Sequence, residues 1–428
     1  VAESYKNALC VEPAERIPSP DAPASRRRNV AGWEKRPMLT QAQIVEATDK
    51  YLTPNYGGRL PVAMVRGKGA RIWDADGKEY IDFFAGFGAA GVAGHCHPAI
   101  VAAVKKQVAM LTCHGNLLTN EPQVLLAEAI TRHGFGGKVF FCHDGAGAVE
   151  AALKLVRLAG GPGRYKIISF HNCFHGRTMG ALSLTSEKYQ AGLEPMLPGN
   201  VKATFGDLDS VRAAIDDQTA GVFVEPIQGE GGVNVPSDQF MQGLRALCDE
   251  KSLLLVADEV WTAPARTGQW YAHQHYGITP DAMTLAKAIG GGLPLGVCVA
   301  APKWQDTLGP GKHACTMGGT PLCTAAGLAT MKLIEDEDLV ARAAAKGEEV
   351  LDKLRRARIG CVKDVRGKGL MIGIELDKPG RDVVLACLAA GLLINCTQEN
   401  VLRLAPPLVT PDALLRKGLR ILIKILKA

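Results

Sequence analysis

Short runs of continuous apolar residues alternate with amphipathic stretches through the middle of the chain. Residues 139–142, 166–170, 221–224, 252–257 and 295–300 read as buried strands. Residues 149–158 read as a helix with Ala152, Leu155 and Val156 on one face, and a second helix carries Phe240, Leu244 and Leu247 in register. Apolar strands separated by helices predict an α/β fold with a mainly parallel, mixed sheet covered on both faces. Beyond about residue 330 the pattern changes, with helices flanking short strands at 371–376, 392–395 and 401–404. The expected organisation is an extension over 1–37, a segment over 38–90 packing with the small domain, a large domain over 91–325, and a smaller α+β domain over 326–428. The last helix places Leu415, Leu419, Leu422 and Leu426 opposite Arg416, Arg420, Lys424 and Lys427. Such a helix is expected to dock on its own domain rather than on a membrane.

Composition narrows the function classes. The 428 residues are 47% hydrophobic and 21% charged, the profile of a globular chain with a large core. A net charge of +6, with both signs mixed along the chain, gives no reason to invoke nucleic acid and suits anionic small substrates. No apolar run approaches the ~20 residues that span a bilayer. The 12 cysteines form no CxxC pair and read as free thiols of a reducing compartment. His95-Cys96-His97 has no second ligand pair at metal spacing, so a turn before a helix is expected there and no metal. A cytoplasmic location is expected; the alternative is an organellar matrix, should residues 1–37 derive from a transit peptide.

The polar residues that interrupt the apolar runs carry the chemistry. Asp258 ends one run, and Lys287 follows another apolar step, before the turn Gly290-Gly291-Gly292. Ligands of parallel sheets bind at these carboxyl ends. An acid and a lysine so placed suit pyridoxal 5'-phosphate (PLP), where a lysine bonds the aldehyde and an acid keeps the ring nitrogen protonated. Asp144-Gly145-Ala146-Gly147 lies between a strand and a helix, where backbone N–H groups face an anion. Phe174-His175-Gly176-Arg177-Thr178 and Glu225-Pro226-Ile227-Gln228-Gly229-Glu230 end two more strands.

Together with Asp258-Glu259-Val260, Arg266-Thr267-Gly268, residues 284–287 and Thr316-Met317-Gly318-Gly319-Thr320-Pro321, these motifs resemble those of class III PLP-dependent aminotransferases, in the family's order, from about residue 45 almost to the C-terminus. Within the class the likeness is greatest to acetylornithine aminotransferases, with ornithine aminotransferases next. The resemblance implies PLP fold type I and a homodimer with shared active sites. It makes Lys287 and Asp258 catalytic. Gly145 and Ala146 would hold the phosphate, with Thr316 reaching the phosphate of the neighbouring subunit. Phe174 would stack on the ring, and Val260 and Trp261 would complete the cofactor site. Arg403 would bind the α-carboxylate of the oxo acid, Glu230 would neutralise Arg403 when a diamine is bound, Arg177 would take the other carboxylate, and Cys315 would lie beside the substrate.

The expected reaction moves the terminal amine of N-acetylornithine to 2-oxoglutarate, a step of arginine biosynthesis. Alternatives are another ω-amine donor (ornithine, succinylornithine, 4-aminobutyrate) or a catalytically impaired relative with a binding role. Three departures from the family pattern bear on this. Asp144 replaces a Ser or Thr and would repel a phosphate unless it turns to cap the following helix. Trp261 replaces a Gln that bonds the cofactor's phenolic oxygen. Gly147 and Val149 replace a Glu and an Asn.

Overall fold

A computed structural model describes residues 39–56 and 58–428, so the extension over 1–37 lies outside the described residues. The chain divides into two compact units, residues 1–61 and 62–428. In the first, Thr40 starts the helix Gln41–Tyr51 with a capping box shared with Gln43.

The second unit is built on a seven-stranded sheet. Its spatial order is Lys138–Cys142, Gly296–Ala300, Ala282–Leu285, Leu254–Asp258, Thr219–Val224, Lys166–Phe170 and Asn200–Ala203. Gly296–Ala300 runs antiparallel to both of its neighbours, and the remaining pairs are parallel. Because side chains alternate across a strand, one face sends Phe223 and Val256 into a core with Val149, Leu155 and Val156 of the helix Gly145–Gly160. The other face packs Val222 and Leu255 against Phe240, Leu244 and Leu247 of the helix Asp238–Glu250. Burial on both faces is why these strands carry continuous apolar runs rather than alternating ones.

Two four-stranded sheets complete the unit. One orders Met64–Lys68, Arg71–Asp74, Glu79–Asp82 and Leu392–Leu393; the last two pair in parallel, Leu392 with Ile81 and Leu393 with Asp82. The other orders Val362–Lys368, Met371–Leu376, Val401–Leu404 and Asn395–Thr397. The final helix, Asp412–Lys427, buries Leu415, Leu419, Leu422 and Leu426 within its unit. His97 caps the helix Pro98–Val108, while His95 bonds Asp82 at 2.7 Å. No helix among the described residues is long and apolar enough to cross a membrane.

Candidate active site

Asp258 and Lys287 reach the same edge of the sheet by different routes. Asp258 is the last residue of its strand and pairs in register with Thr284 on the next one, so Lys287 lies three residues beyond that cross-strand partner. Lys287 has φ 49°, in the left-handed region that costs a side-chain-bearing residue roughly 1–2 kcal/mol. The lysine turn closes through Gly291 and Gly292, also at positive φ, before the chain returns along Gly296–Ala300. Lys287 Nζ has no hydrogen bond among the described residues and lies 4.7 Å from the centre of the Trp261 ring. Burial pulls its pKa down to about 8, against the attraction of the Glu230 carboxylate and with the repulsion of Arg403. A substantial neutral fraction near pH 8 suits a nucleophilic amine.

Asp258 is buried and fully engaged. His175 Nδ1 lies 2.6 Å from Oδ2, while Thr284 Oγ1 and the Val260 amide donate to Oδ1 at 2.9 and 3.1 Å. Burial opposes charge on His175, but Cys173 and the Asp258 carboxylate outweigh it and lift its pKa to about 10. His175 carries no role in the sequence reading, although it sits inside a quoted motif. Its partner depends on which strands are neighbours, which residue spacing does not reveal. Glu225 is a second such residue: it is buried and accepts from the Phe174 and Gly229 amides at 3.1 and 3.2 Å.

The anion turn opens the helix Gly145–Gly160, whose first amides have no intrahelical acceptors. Asp144 is its N-cap, and Oδ1 accepts from the Gly147 amide at 2.9 Å, so the acid does turn to cap the helix. Gly145 fits closely against its neighbour: a Cβ there would lie 3.0 Å from Val260 Cγ1, so a larger residue would need the valine to give by a few tenths of an ångström. Phe174 meets Tyr189 edge-on at 5.5 Å. Arg177 is exposed, with its guanidinium 4.4 Å from the Tyr189 ring. Cys315 places Sγ 3.5 Å from His143 Nδ1, beside the end of the first strand, and Thr316 is exposed on the same loop.

Arg403, on the strand Val401–Leu404, is fully buried. Nη1 donates to Glu230 Oε1 at 2.8 Å and to the Gly229 carbonyl at 3.0 Å, and Nε reaches Asn395 Oδ1 at 3.4 Å. Nη2 is buried with no hydrogen-bond partner among the described residues. Burial works against charge on Glu230, yet Arg403 and Lys287 hold its carboxyl below the usual range. The edge therefore gathers a free amine, a clasped acid, an amide turn, and an arginine whose second arm is unfilled.

The family model for class III aminotransferases matches residues 53–426. The chain is a class III aminotransferase. This aminotransferase is 43% identical to the acetylornithine aminotransferase of Caldanaerobacter subterraneus, over 88% of its own length and 97% of that protein. It is 44% identical to the acetylornithine aminotransferase of Aquifex aeolicus, over 88% and 100%. Among solved structures, the ornithine aminotransferase of Toxoplasma gondii, described with partial occupancy of PLP at its active site, superposes with a TM-score of 0.86 at 34% identity, covering 90% of this chain and 94% of that one. The acetylornithine aminotransferase of Elizabethkingia anophelis gives 0.81 at 31%, covering 91% and 99%. These likenesses bear out fold type I and the enzyme class.

Membership of the class implies PLP. The residues present fit it: an unbonded lysine amine of lowered pKa, a buried acid at a neighbouring strand end, and free amides opening a helix. Asp144 is the one feature of the cradle that opposes a phosphate, by its charge.

Proposed function

We propose that this aminotransferase moves the terminal amine of N-acetylornithine to 2-oxoglutarate, with PLP as cofactor. The observation that carries the reading is the buried Arg403, paired with Glu230 on one nitrogen and open on the other. Two substrates of different charge must share one site. A donor that presents no carboxylate to Arg403 leaves the Glu230 pair intact; an oxo acid displaces Glu230 and takes the guanidinium through its α-carboxylate. Without that movable acid, a buried arginine would stand unpaired in one half-reaction, at a cost of several kcal/mol. The acetylornithine-named relatives, matched over nearly their whole length, support this donor over the other ω-amines.

When bound, PLP would supply an electron-withdrawing ring that stabilises negative charge on the carbon bearing the transferred nitrogen. Asp258, oriented by His175 and Thr284, would hold a proton at the ring nitrogen. Lys287 would bond the cofactor's aldehyde and, once released by substrate, carry a proton to and from the substrate carbon. Gly145 and Ala146 would give their amides to the phosphate. Phe174, Val260 and Trp261 would wall the ring, Arg177 would grip the second carboxylate, and Cys315 would border the acyl end. Exposed Thr316 would serve the phosphate site of a second copy. A homodimer is supported by exposed apolar residues near it: Met317 adjoins Thr316 in the chain, and exposed Leu117 and Leu118 follow Asn116, which donates to the Cys315 and Gly318 carbonyls of the same loop. The described cysteines are free thiols, which suits a cytoplasmic setting.

The test separates the half-reactions in single turnovers, using N-acetylornithine, ornithine, succinylornithine and 4-aminobutyrate as donors. N-acetylornithine should react with the highest kcat/KM, and Arg403→Ala should cripple the 2-oxoglutarate half-reaction about 100-fold or more while sparing the donor half. Equal losses in both halves overturn the charge-switch reading; preference for another amine overturns the donor.

A further inference from the structure

Trp261 lies three residues beyond Asp258 and is only 7% exposed. Two glycines make room for its indole. A Cβ on Gly88 would come within 2.9 Å of Cζ3, and one on Gly229 within 2.8 Å of Cδ1, so the ring is held from both sides. Two cations lie against it, Arg403 Cζ at 4.3 Å and Lys287 Nζ at 4.7 Å from its centre. Its one polar atom, Nε1, donates to Glu230 Oε1 at 3.3 Å, the same oxygen that Arg403 holds at 2.8 Å.

That shared oxygen links three side chains in one arrangement. For Glu230 to leave Arg403, it must also give up the indole N–H. Glu230 is the one acceptor that N–H has among the described residues, so its departure leaves the indole donor without its present partner. The ring also steadies the Arg403 guanidinium in the position where it meets Glu230. We infer that Trp261 is a specificity-determining residue that latches Glu230 onto Arg403, favouring substrates that present no carboxylate to Arg403 and raising the concentration of oxo acid needed to open the site. The inference rests on the charge-switch reading above and adds a residue that sets its bias.

Trp261→Phe tests it, because phenylalanine keeps an aromatic ring beside the two cations and removes the N–H donor, along with one of the two fused rings. In the holoenzyme, the ratio of KM for 2-oxoglutarate to KM for the amine donor should fall about three- to tenfold, as expected for loss of one long hydrogen bond to a carboxylate, whatever shared effect the substitution has on cofactor binding. In a Glu230→Gln background, where no carboxylate remains to latch, the same substitution should leave that ratio within about twofold. An unchanged ratio of the two KM values, proportional changes in both, or an equal effect in both backgrounds overturns the latch.

A second measurement leaves Trp261 intact. Glutarate, which carries both carboxylates and no reactive carbonyl, should change the tryptophan emission of the wild-type holoenzyme, and Glu230→Gln should abolish that change. Emission that responds equally in both proteins, or in neither, overturns the latch. Arg403→Ala distinguishes the two levels: normal oxo-acid affinity in that variant sinks the charge switch itself. Lost affinity there, with Trp261→Phe unaltered, sinks only the latch.

Discussion

Asp144 puts a negative charge beside the amides proposed to hold a phosphate, and it does so as the cap of the helix Gly145–Gly160. The two roles conflict. A carboxylate roughly 5 Å from a phosphate charge costs about 3 kcal/mol at an effective dielectric near 20, less where water screens it. Serine keeps the cap without the charge. Asp144→Ser should therefore bind PLP about tenfold more tightly in titrations of the apo protein; unchanged or weaker binding would show that the carboxylate does not feel the phosphate. Lys287 and Asp258 stood out because each polar residue follows or ends an apolar run, whereas Arg403 and the role of Glu230 came from the family resemblance. His175 and Glu225 were not. Both sit in quoted motifs, but their partners come from other strands, and strand order is set by packing of the whole sheet.

Among the elements, the strand Thr219–Val224 delivers Glu225 into the sheet edge, with no cation bonded to it among the described residues. Burial raises its pKa from 4.5 to about 7, with His175 opposing, the Asp258 charge adding, and the Phe174 and Gly229 amides opposing. An acid that binds its proton more tightly when folded stabilises the fold fully below the unfolded value, and that contribution disappears as pH climbs through about 7. Glutamine does not titrate. Relative to wild type, Glu225→Gln should gain stability between pH 4.5 and 8, up to about 3 kcal/mol, whatever fixed offset its altered hydrogen bonds bring. Chemical unfolding at several pH values checks this, and a constant difference across the range would refute it. Five of the seven strands of the large sheet were visible in the hydrophobic pattern, while Asn200–Ala203 and Ala282–Leu285 were missed, as were Met64–Lys68, Arg71–Asp74, Glu79–Asp82 and Val362–Lys368 of the smaller sheets. The first is a half-buried edge carrying Lys202, and the second spans only four residues. The helix after the anion turn starts at Gly145 rather than near 149, because the Asp144 cap draws a glycine-rich segment into its first turn.

At the scale of the whole molecule, the pairing of Leu392 and Leu393 with Ile81 and Asp82 joins segments more than 300 residues apart, which no local periodicity announces. Arg266 makes a comparable long-range connection. Its buried guanidinium donates to the carbonyls of Leu370, Pro406 and Gly91, at 3.0, 2.6 and 2.5 Å. Arg266→Met keeps much of the volume and strands three buried acceptors, so it should cost about 3 kcal/mol or more of stability, measured by unfolding of the apo protein. A loss below about 1 kcal/mol would mean that water or rearranged backbone replaces the guanidinium. The sheet itself has a consequence for catalysis. The turn bearing Lys287 joins two hydrogen-bonded antiparallel strands, and one of them is clamped on its far side by Lys138–Cys142. Such a hairpin cannot swing without tearing the ladder at the centre of the domain. The backbone that carries the amine is thus anchored, and in the proposed reaction adjustment to long or short substrates would fall to side chains, the Glu230 carboxylate and the arginine it clasps among them.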